Sequence, residues 1–432
     1  MTGHNSVSKA LFLAVCILWL SIPPANAQRD EFILGVCNHL AHGRSNASQS
    51  LQAIEKIGAN SFRDDVFWSL VETEKDVFRW PERFRELERA IDLANARGIE
   101  PVVILAYENR FHHVGRYPIS DEAQAAFTRF AEYVVRRFKG RVRYYEVWNE
   151  WNQGGTAKDY VRLLKRVYPA IKRIDANAIV LGGAVEGAGP PKFIRAMMEN
   201  GALPSMDGLS VHPYVFWRGT AGTPEAMYQW MVDLQKMLHQ FSAGRDVPLY
   251  ITEIGWPTDA TSLGISHDQA ADYVAQTILM MRSLPYVKGI WWYNLFDTGK
   301  DPKDHGSNFG LFTEDAQAKP AAQTFAELNE LARKGRFVRR ENAPPGVWAL
   351  RFATPQGQET LAVFNTRNVQ VRVRSAAAVP KIELNRIKPR QSASTGNLGD
   401  VPLQLGATPV LLNGTKDALN NLKFETTTVS KP

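Results

Sequence analysis

Arg141-Val-Arg-Tyr-Tyr-Glu-Val-Trp-Asn-Glu-Trp-Asn152 opens with β-favouring residues (Val142, Tyr144, Tyr145, Val147) and stops at a polar, tryptophan-flanked Asn149-Glu150. Such a run reads as a buried strand that delivers a carboxyl group at its C-terminal end. In a barrel of parallel strands that end is the face where chemistry is done. Taken alone, Asn149-Glu150 reads better as a solvated loop than as a site. A second stretch of the same design, Val247-Pro-Leu-Tyr-Ile-Thr-Glu-Ile-Gly-Trp256, weakens the loop reading, because it too is a short apolar strand ending in a glutamate near a tryptophan. Two such ends in one chain point to a site built on paired carboxylates, Glu150 and Glu253.

Outward from these two strands, short apolar runs alternate with amphipathic helical stretches. Strands are expected at Phe32–Val36, Asn60–Arg63, Pro101–Tyr107, the Glu150 strand, Ala178–Gly182, Gly208–His212, Leu249–Thr252 and Gly289–Tyr293. The intervening helices are read from three-to-four spacing, as in Phe84, Leu87, Ala90, Ile91 and Ala94, and from stop signals such as Gly98. A helix from Asp121 to Lys139 is read as capped by Asp121. Eight strand–helix units predict a (β/α)8 TIM barrel over residues 28–335. From Arg336 the pattern changes to short β-favouring runs punctuated by Gly, Pro and Asn, which reads as a small C-terminal β-sandwich over 336–424, an accessory domain that packs on the barrel or, alternatively, binds carbohydrate. The Thr/Ser-rich segment 425–432 reads as a disordered tail.

The N-terminus has a signal-peptide design: Lys9, an apolar run from Ala10 to Ile22, and a small-residue site at Ala25-Asn-Ala27. Cleavage after Ala27 is expected, which makes the mature chain exported, periplasmic or secreted, with no membrane span; an uncleaved anchor is the alternative. Cys16 leaves with the leader, so Cys37 has no partner for a disulfide and reads as a buried small hydrophobe. Loss of the leader takes one Lys and no acid, so the formal charge falls from +7 to +6, a mild excess that suits an anionic polysaccharide. Arginines are scattered rather than clustered, so nucleic acid is not an expected partner. Eleven Trp in 432 residues suit either sugar-stacking surfaces or a generous core. His112-His113 suggests a metal at first sight, but no third ligand stands at a recognisable spacing, and the pair reads as a loop wall.

Trp148-Asn-Glu150 on the fourth strand and Thr252-Glu-Ile-Gly-Trp256 on the seventh resemble the signatures of clan A glycoside hydrolases, and more narrowly those of glycoside hydrolase family 39, with a bacterial branch acting on exopolysaccharides as the nearest match. The resemblance spans roughly residues 32–330. It implies that Glu150 is the general acid/base and Glu253 the nucleophile. It further implies that Arg63 steadies the nucleophile, although a salt bridge to Asp64 or Asp65 is the structural alternative. Asn149 would bond the sugar 2-hydroxyl, and His212 and Tyr214 would orient the nucleophile. His39, Trp256 and Tyr293 are candidate substrate contacts, with strand alternation placing Trp291 and Tyr293 on one face and Trp292, read as core, on the other. A protonated Glu150 needs a raised pKa, for which Trp148 and Trp151 are candidate desolvating walls.

The reading that follows is a retaining β-glycoside hydrolase, endo-acting on a polysaccharide, working as a monomer with no metal or organic cofactor. An exo-acting β-xylosidase-like enzyme is the alternative. A barrel that binds polysaccharide during assembly without turnover is a third reading, one that would have no need of paired glutamates.

Overall fold

The computed structural model describes residues 31–112, 115–367, 371–375, 383–387, 396–397 and 403–426. The leader read at 1–27, the ring of His113 and residues 427–432 lie outside them. Eight parallel strands close into a barrel in sequence order: β1 Ile33–Cys37, β2 Ser61–Phe67, β3 Glu100–Ala106, β4 Tyr144–Val147, β5 Ile179–Glu186, β6 Gly208–His212, β7 Leu249–Ile254 and β8 Val287–Trp292. One long helix follows each, from Ala47–Ile57 after β1 to Pro320–Lys334 after β8. The chain is a (β/α)8 barrel carrying a small antiparallel β-sandwich.

Local signals set the helix ends. Asn46, Ser120, Thr156, Thr223 and Ser266 each accept a backbone N–H from the first turn of the helix they precede. The cap of the helix Asp121–Phe138 is therefore Ser120 and not Asp121, whose acid instead complements the positive end of the helix dipole. Gly58 closes the first helix at φ 68°, a conformation that glycine adopts without strain.

Alternation along the strands fills two compartments. Ile33, Cys37, Val102, Tyr144, Leu181, Tyr250 and Trp291 point inward and plug the barrel. The Trp291 indole lies against Gly35, where a Cβ would stand 2.4 Å from its ring, and donates to Ser61 Oγ at 2.8 Å. Trp292, of opposite parity, joins the layer between barrel and helices.

In the sandwich, a six-stranded sheet pairs β9 (Arg336–Arg340), β10 (Val347–Ala353), β11 (Glu359–Asn365), β13 (Glu383–Arg386), β14 (Gly396–Asn397) and β16 (Val410–Gly414). A three-stranded sheet pairs β12 (Val371–Ser375), β15 (Leu403–Gln404) and β17 (Leu422–Thr426). Glu425 and Thr426 thus pair with Arg372 and Val371 in β12, so they belong to a strand rather than to a tail. One face of β10 and β11, with Val347, Ala349, Leu361 and Val363, fills the sandwich core. Their other face, with Trp348, Leu350, Phe352, Ala362 and Phe364, joins the barrel's hydrophobic layer. Trp348 meets Tyr228 edge-on at 4.8 Å, and Gln276 and Asp272 of a barrel helix bond Ala407 O and Thr408 Oγ1. Among the described residues no helix is long and apolar enough to cross a membrane.

Candidate active site

Three backbone irregularities at the C-terminal ends of the strands aim the polar side chains. Between Ile251 and Ile254, β7 carries one residue more than β8, a bulge that turns the consecutive Thr252 and Glu253 toward the mouth together. Between Gly182 and Val185, β5 bulges against β6, and Ala184 in that bulge offers its carbonyl to Glu150 N at 3.0 Å. After β4 the chain turns sharply, with Trp148 at φ 68° and Glu150 at φ 52°, both left-handed and neither a glycine.

These turns bring Arg63, Asn149, Glu150, His212, Tyr214 and Glu253 together. Arg63 is buried, and its guanidinium donates from Nη1 to Glu253 Oε1 at 2.7 Å, from Nε to Glu146 Oε2 at 2.7 Å and from Nη2 to Asn149 Oδ1 at 2.8 Å. It pairs with neither Asp64 nor Asp65. Asp64, on the other face of β2, accepts from Leu40 N and Ala41 N, and burial followed by the Asp65 charge pushes its carboxyl up to about 7. Asp65 pairs with His42 Nε2 at 3.1 Å. Because Asn149 Oδ1 is occupied by Arg63, its amide nitrogen is the end left to donate.

Tyr214 donates its hydroxyl to Glu253 Oε2 at 2.9 Å. Burial alone would raise the Glu253 carboxyl, but the His212 and Arg63 charges and the Tyr214 hydroxyl outweigh it and hold the group below its ordinary value. His212, fully buried, sets Nδ1 2.9 Å from Glu150 Oε1 and 3.8 Å from Glu253 Oε2. Burial opposes its charging, yet Glu253 and the bond to Glu150 raise its pKa. One atom each of Glu150, His212 and Glu253 lies within 4.8 Å of the others. Glu150 Oε2 accepts from Gln153 Nε2 at 2.6 Å.

The walls differ in part from the sequence reading. The neighbours bonded to the Glu150 carboxyl are His212 and Gln153. Trp148 and Trp151 are fully buried against one another at 5.0 Å, with Phe127, Tyr117 and Tyr160 around them, so they brace the turn from behind. Trp256 does not open onto the cavity: it is 2% exposed, packs on Trp292 and Tyr273, and donates its indole N–H to Gly222 O at 2.7 Å. Its strand-end position comes with an inward-facing ring because the helix after β7 covers it. Tyr293 is half-buried between His39 (5.6 Å), Tyr214 (6.4 Å) and Phe309 (5.5 Å), and burial drops His39 to about 4, a neutral ring at neutral pH. Cys37, buried below Arg63, bonds Thr252 O at 3.3 Å, and burial pushes its thiol well up. His112 stacks on Trp68 and meets Glu72 Oε1 at 2.5 Å.

Two groups escaped the sequence reading. Glu146, 0% exposed in the middle of β4, binds Arg63, and Gln153 tethers Glu150. Glu146 left a signal: an acid inside an apolar strand needs a buried cation, and Arg63 was the candidate. Gln153 left none, since its reach depends on the turn that Glu150 makes.

The model for cellulase (glycosyl hydrolase family 5) matches residues 25–295. A family 39 glycoside hydrolase from Bacteroides cellulosilyticus WH2 shares the fold at a TM-score of 0.76, with 24% identity, over 89% of this chain and 81% of that one. A monomeric β-xylosidase from Caulobacter crescentus CB15 does so at 0.63, with 18% identity, over 89% and 96%. In sequence, the β-xylosidase of Caldicellulosiruptor saccharolyticus is 24% identical over 317 residues, which are 66% of this chain and 64% of that enzyme, so the match spans less than two thirds of the relative's length. The chain belongs to the cellulase family, glycosyl hydrolase family 5, as a (β/α)8 clan A glycoside hydrolase, and it shares its fold with the family 39 enzyme.

Proposed function

We propose that the protein is an exported retaining β-glycoside hydrolase that removes sugar units from chain ends in the manner of a β-xylosidase. The observation that carries the mechanism is the closeness of Glu150 and Glu253, which share His212 with an oxygen of each no more than 4.8 Å apart. Retaining enzymes hold their carboxyl groups about 5–5.5 Å apart, whereas inverting ones leave about 6.5–9.5 Å for a water.

In this reading Glu253, kept ionised by Arg63, His212 and Tyr214, attacks the anomeric carbon as Glu150 gives its proton to the departing glycosidic oxygen. A glycosyl–Glu253 ester results. Glu150, now ionised, takes a proton from a water that attacks the same carbon, and Glu253 leaves. Asn149 Nδ2 is free to donate to the sugar 2-hydroxyl throughout.

Exo action is favoured over the endo action first read from the sequence because the named relatives in sequence and structure include β-xylosidases. Preference for an exopolysaccharide rests on sequence resemblance alone, and export rests on the leader-like N-terminus.

Hydrolysis of aryl β-xylosides, xylo-oligosaccharides and β-linked polysaccharides by the full chain, beside Glu253→Gln and with proton NMR of the first-formed anomer, tests the proposal. Release of the β-anomer of single sugars by wild type only is the expected result. Cleavage inside polymers with no action on short glycosides would restore the endo reading. An α-anomer first, or equal activity in Glu253→Gln, would overturn the mechanism.

A further inference from the structure

The mechanism gives Glu146 no part, yet its carboxylate lies at 0% exposure beneath the site and is joined to both working glutamates. Hydrogen counting along that connection fixes the state of each group. The five N–H groups of Arg63 are all committed: Nε and Nη2 to Glu146 Oε2 (2.7 and 2.6 Å), Nη2 also to Asn149 Oδ1, Nη1 to Glu253 Oε1, and the last one toward Cys37 Sγ at 4.0 Å. Held by two of them, the Glu146 carboxylate serves as an acceptor. Its other oxygen, Oε1, lies 2.8 Å from Thr252 Oγ1, so the single hydroxyl hydrogen of Thr252 points at Glu146. Thr252 Oγ1 is then an acceptor toward His212 Nε2, 3.1 Å away, and that nitrogen must carry a proton. Arg63 Nη2, 3.5 Å from the same nitrogen, has no hydrogen left to offer it.

We propose that Glu146 is a positioning residue which, through Thr252, pins a proton on Nε2 of His212 and so makes Nδ1 the end that shares one proton with Glu150 Oε1. With Nε2 fixed as the donor to Thr252, Nδ1 faces Glu150 Oε1 at 2.9 Å, and the one proton held between them is the one available to the leaving oxygen. With the opposite ring form, Nδ1 would donate to Glu150 and require it ionised. The charged groups facing the ring are Glu150, Glu253 and Arg63, with Glu186 on β5 further out and Glu146 beyond Thr252. This inference rests on the reading of Glu150 as the acid, but the ring's proton position can be observed whether or not that reading holds.

Glu146→Gln reverses the polarity of the chain of bonds. Its amide oxygen stays with Arg63, its NH2 turns to Thr252, and the Thr252 hydroxyl swings to donate to Nε2. The test is nitrogen-15 NMR of the full chain labelled at histidine, with the His212 signal assigned by its loss in His212→Asn. It is read together with kinetics on β-glycosides whose leaving groups range from activated phenols to alkyl alcohols. The expected result is a protonated Nε2 in wild type and in Thr252→Ser, and a bare Nε2 in Glu146→Gln. Glu146→Gln should lose about 10²-fold in kcat/KM on alkyl glycosides, the lower range for losing acid assistance, with the loss shrinking steadily as the leaving group improves and the alkaline limb of the pH profile displaced. Thr252→Val should repeat the kinetic defect, and Thr252→Ser should not. A bare Nε2 in wild type overturns the proposal. So does a Glu146→Gln protein with unchanged Nε2 and a loss uniform across leaving groups, which is what a merely structural carboxylate would give. If no glycoside is cleaved at all, the function fails while the NMR result still decides the ring's proton.

Discussion

Arg63 Nη1 donates to Glu253 Oε1 at 2.7 Å while its Nε donates to Glu146 Oε2 at the same distance, so one buried cation is clamped between two carboxylates from β4 and β7. Glu253 also faces His212 Nδ1 at 3.8 Å, whereas Arg63 is the cation that binds Glu146. Replacing Arg63 by Met therefore leaves Glu146 buried without its cation and Glu253 with only His212 and Tyr214. A loss of about 3–5 kcal/mol is expected, the range for breaking a buried pair from one side. Denaturant unfolding of Arg63→Met beside wild type measures it, and an unchanged midpoint would show that the clamp contributes nothing.

Tyr214→Phe removes the hydroxyl from Glu253 Oε2 and nothing else of consequence. A hydrogen bond to a charged group contributes about 1.5–3 kcal/mol, so the Glu253 carboxyl should rise by about 1–2 pH units. The acidic limb of kcat/KM against pH should move upward by that amount with a smaller change at neutral pH. A limb that stays in place would detach Tyr214 from the ionisation of Glu253.

Stability should also carry the signature of this site. Glu253 titrates below its ordinary 4.5 in the native state, so its contribution is present above about 4.5 and is lost as pH falls through the depressed native value. His212 titrates above its ordinary 6.5, so its contribution is present below about 6.5 and is lost as pH rises through the raised native value. The unfolding free-energy difference between wild type and Glu253→Gln should then favour wild type most between these two values and decline on both sides. Melting curves across pH for the two proteins give the comparison directly, and a difference flat in pH would contradict it.

Trp256 tests the correction made to the sequence reading. Buried against Trp292 and Tyr273, it supports the wall and does not touch substrate. Trp256→Ala is expected to cost about 3–5 kcal/mol of stability. At a temperature where the variant remains folded, KM should change little. A large rise in KM without loss of stability would return Trp256 to the substrate-contact role.

The barrel was legible because eight apolar runs recur with helices between them, and the two glutamates because each ends such a run. Less legible was anything that depends on irregular backbone. The bulge at Thr252-Glu253 places two neighbours on one side of a strand, where strict alternation would send one of them away. Trp148, Trp151 and Trp256 look alike in sequence as aromatic residues near an acid, but the left-handed turn at Trp148 and Glu150 turns the first two inward, whereas Trp256 is covered by Tyr273 of the helix after β7. Arg63 had three acids within reach by sequence or parity, and its true partners come from strands four and seven, which the barrel's closure brings opposite it. Glu146 needed only the question of where a buried acid finds its cation.

The left-handed backbone at Trp148 and Glu150 has a further meaning for how this chain can change. An L-residue in that conformation costs roughly 1–2 kcal/mol relative to the right-handed form, and glycine or asparagine escapes most of the cost. A chain drifting toward greater thermal tolerance would gain from glycine at either place. Here position 150 cannot yield without losing the carboxyl that faces His212, and position 148 cannot yield without opening a void behind it. The turn is thus a point where adaptation to heat and retention of activity pull on the same two codons in opposite directions, so that tolerance must be gained elsewhere in the barrel.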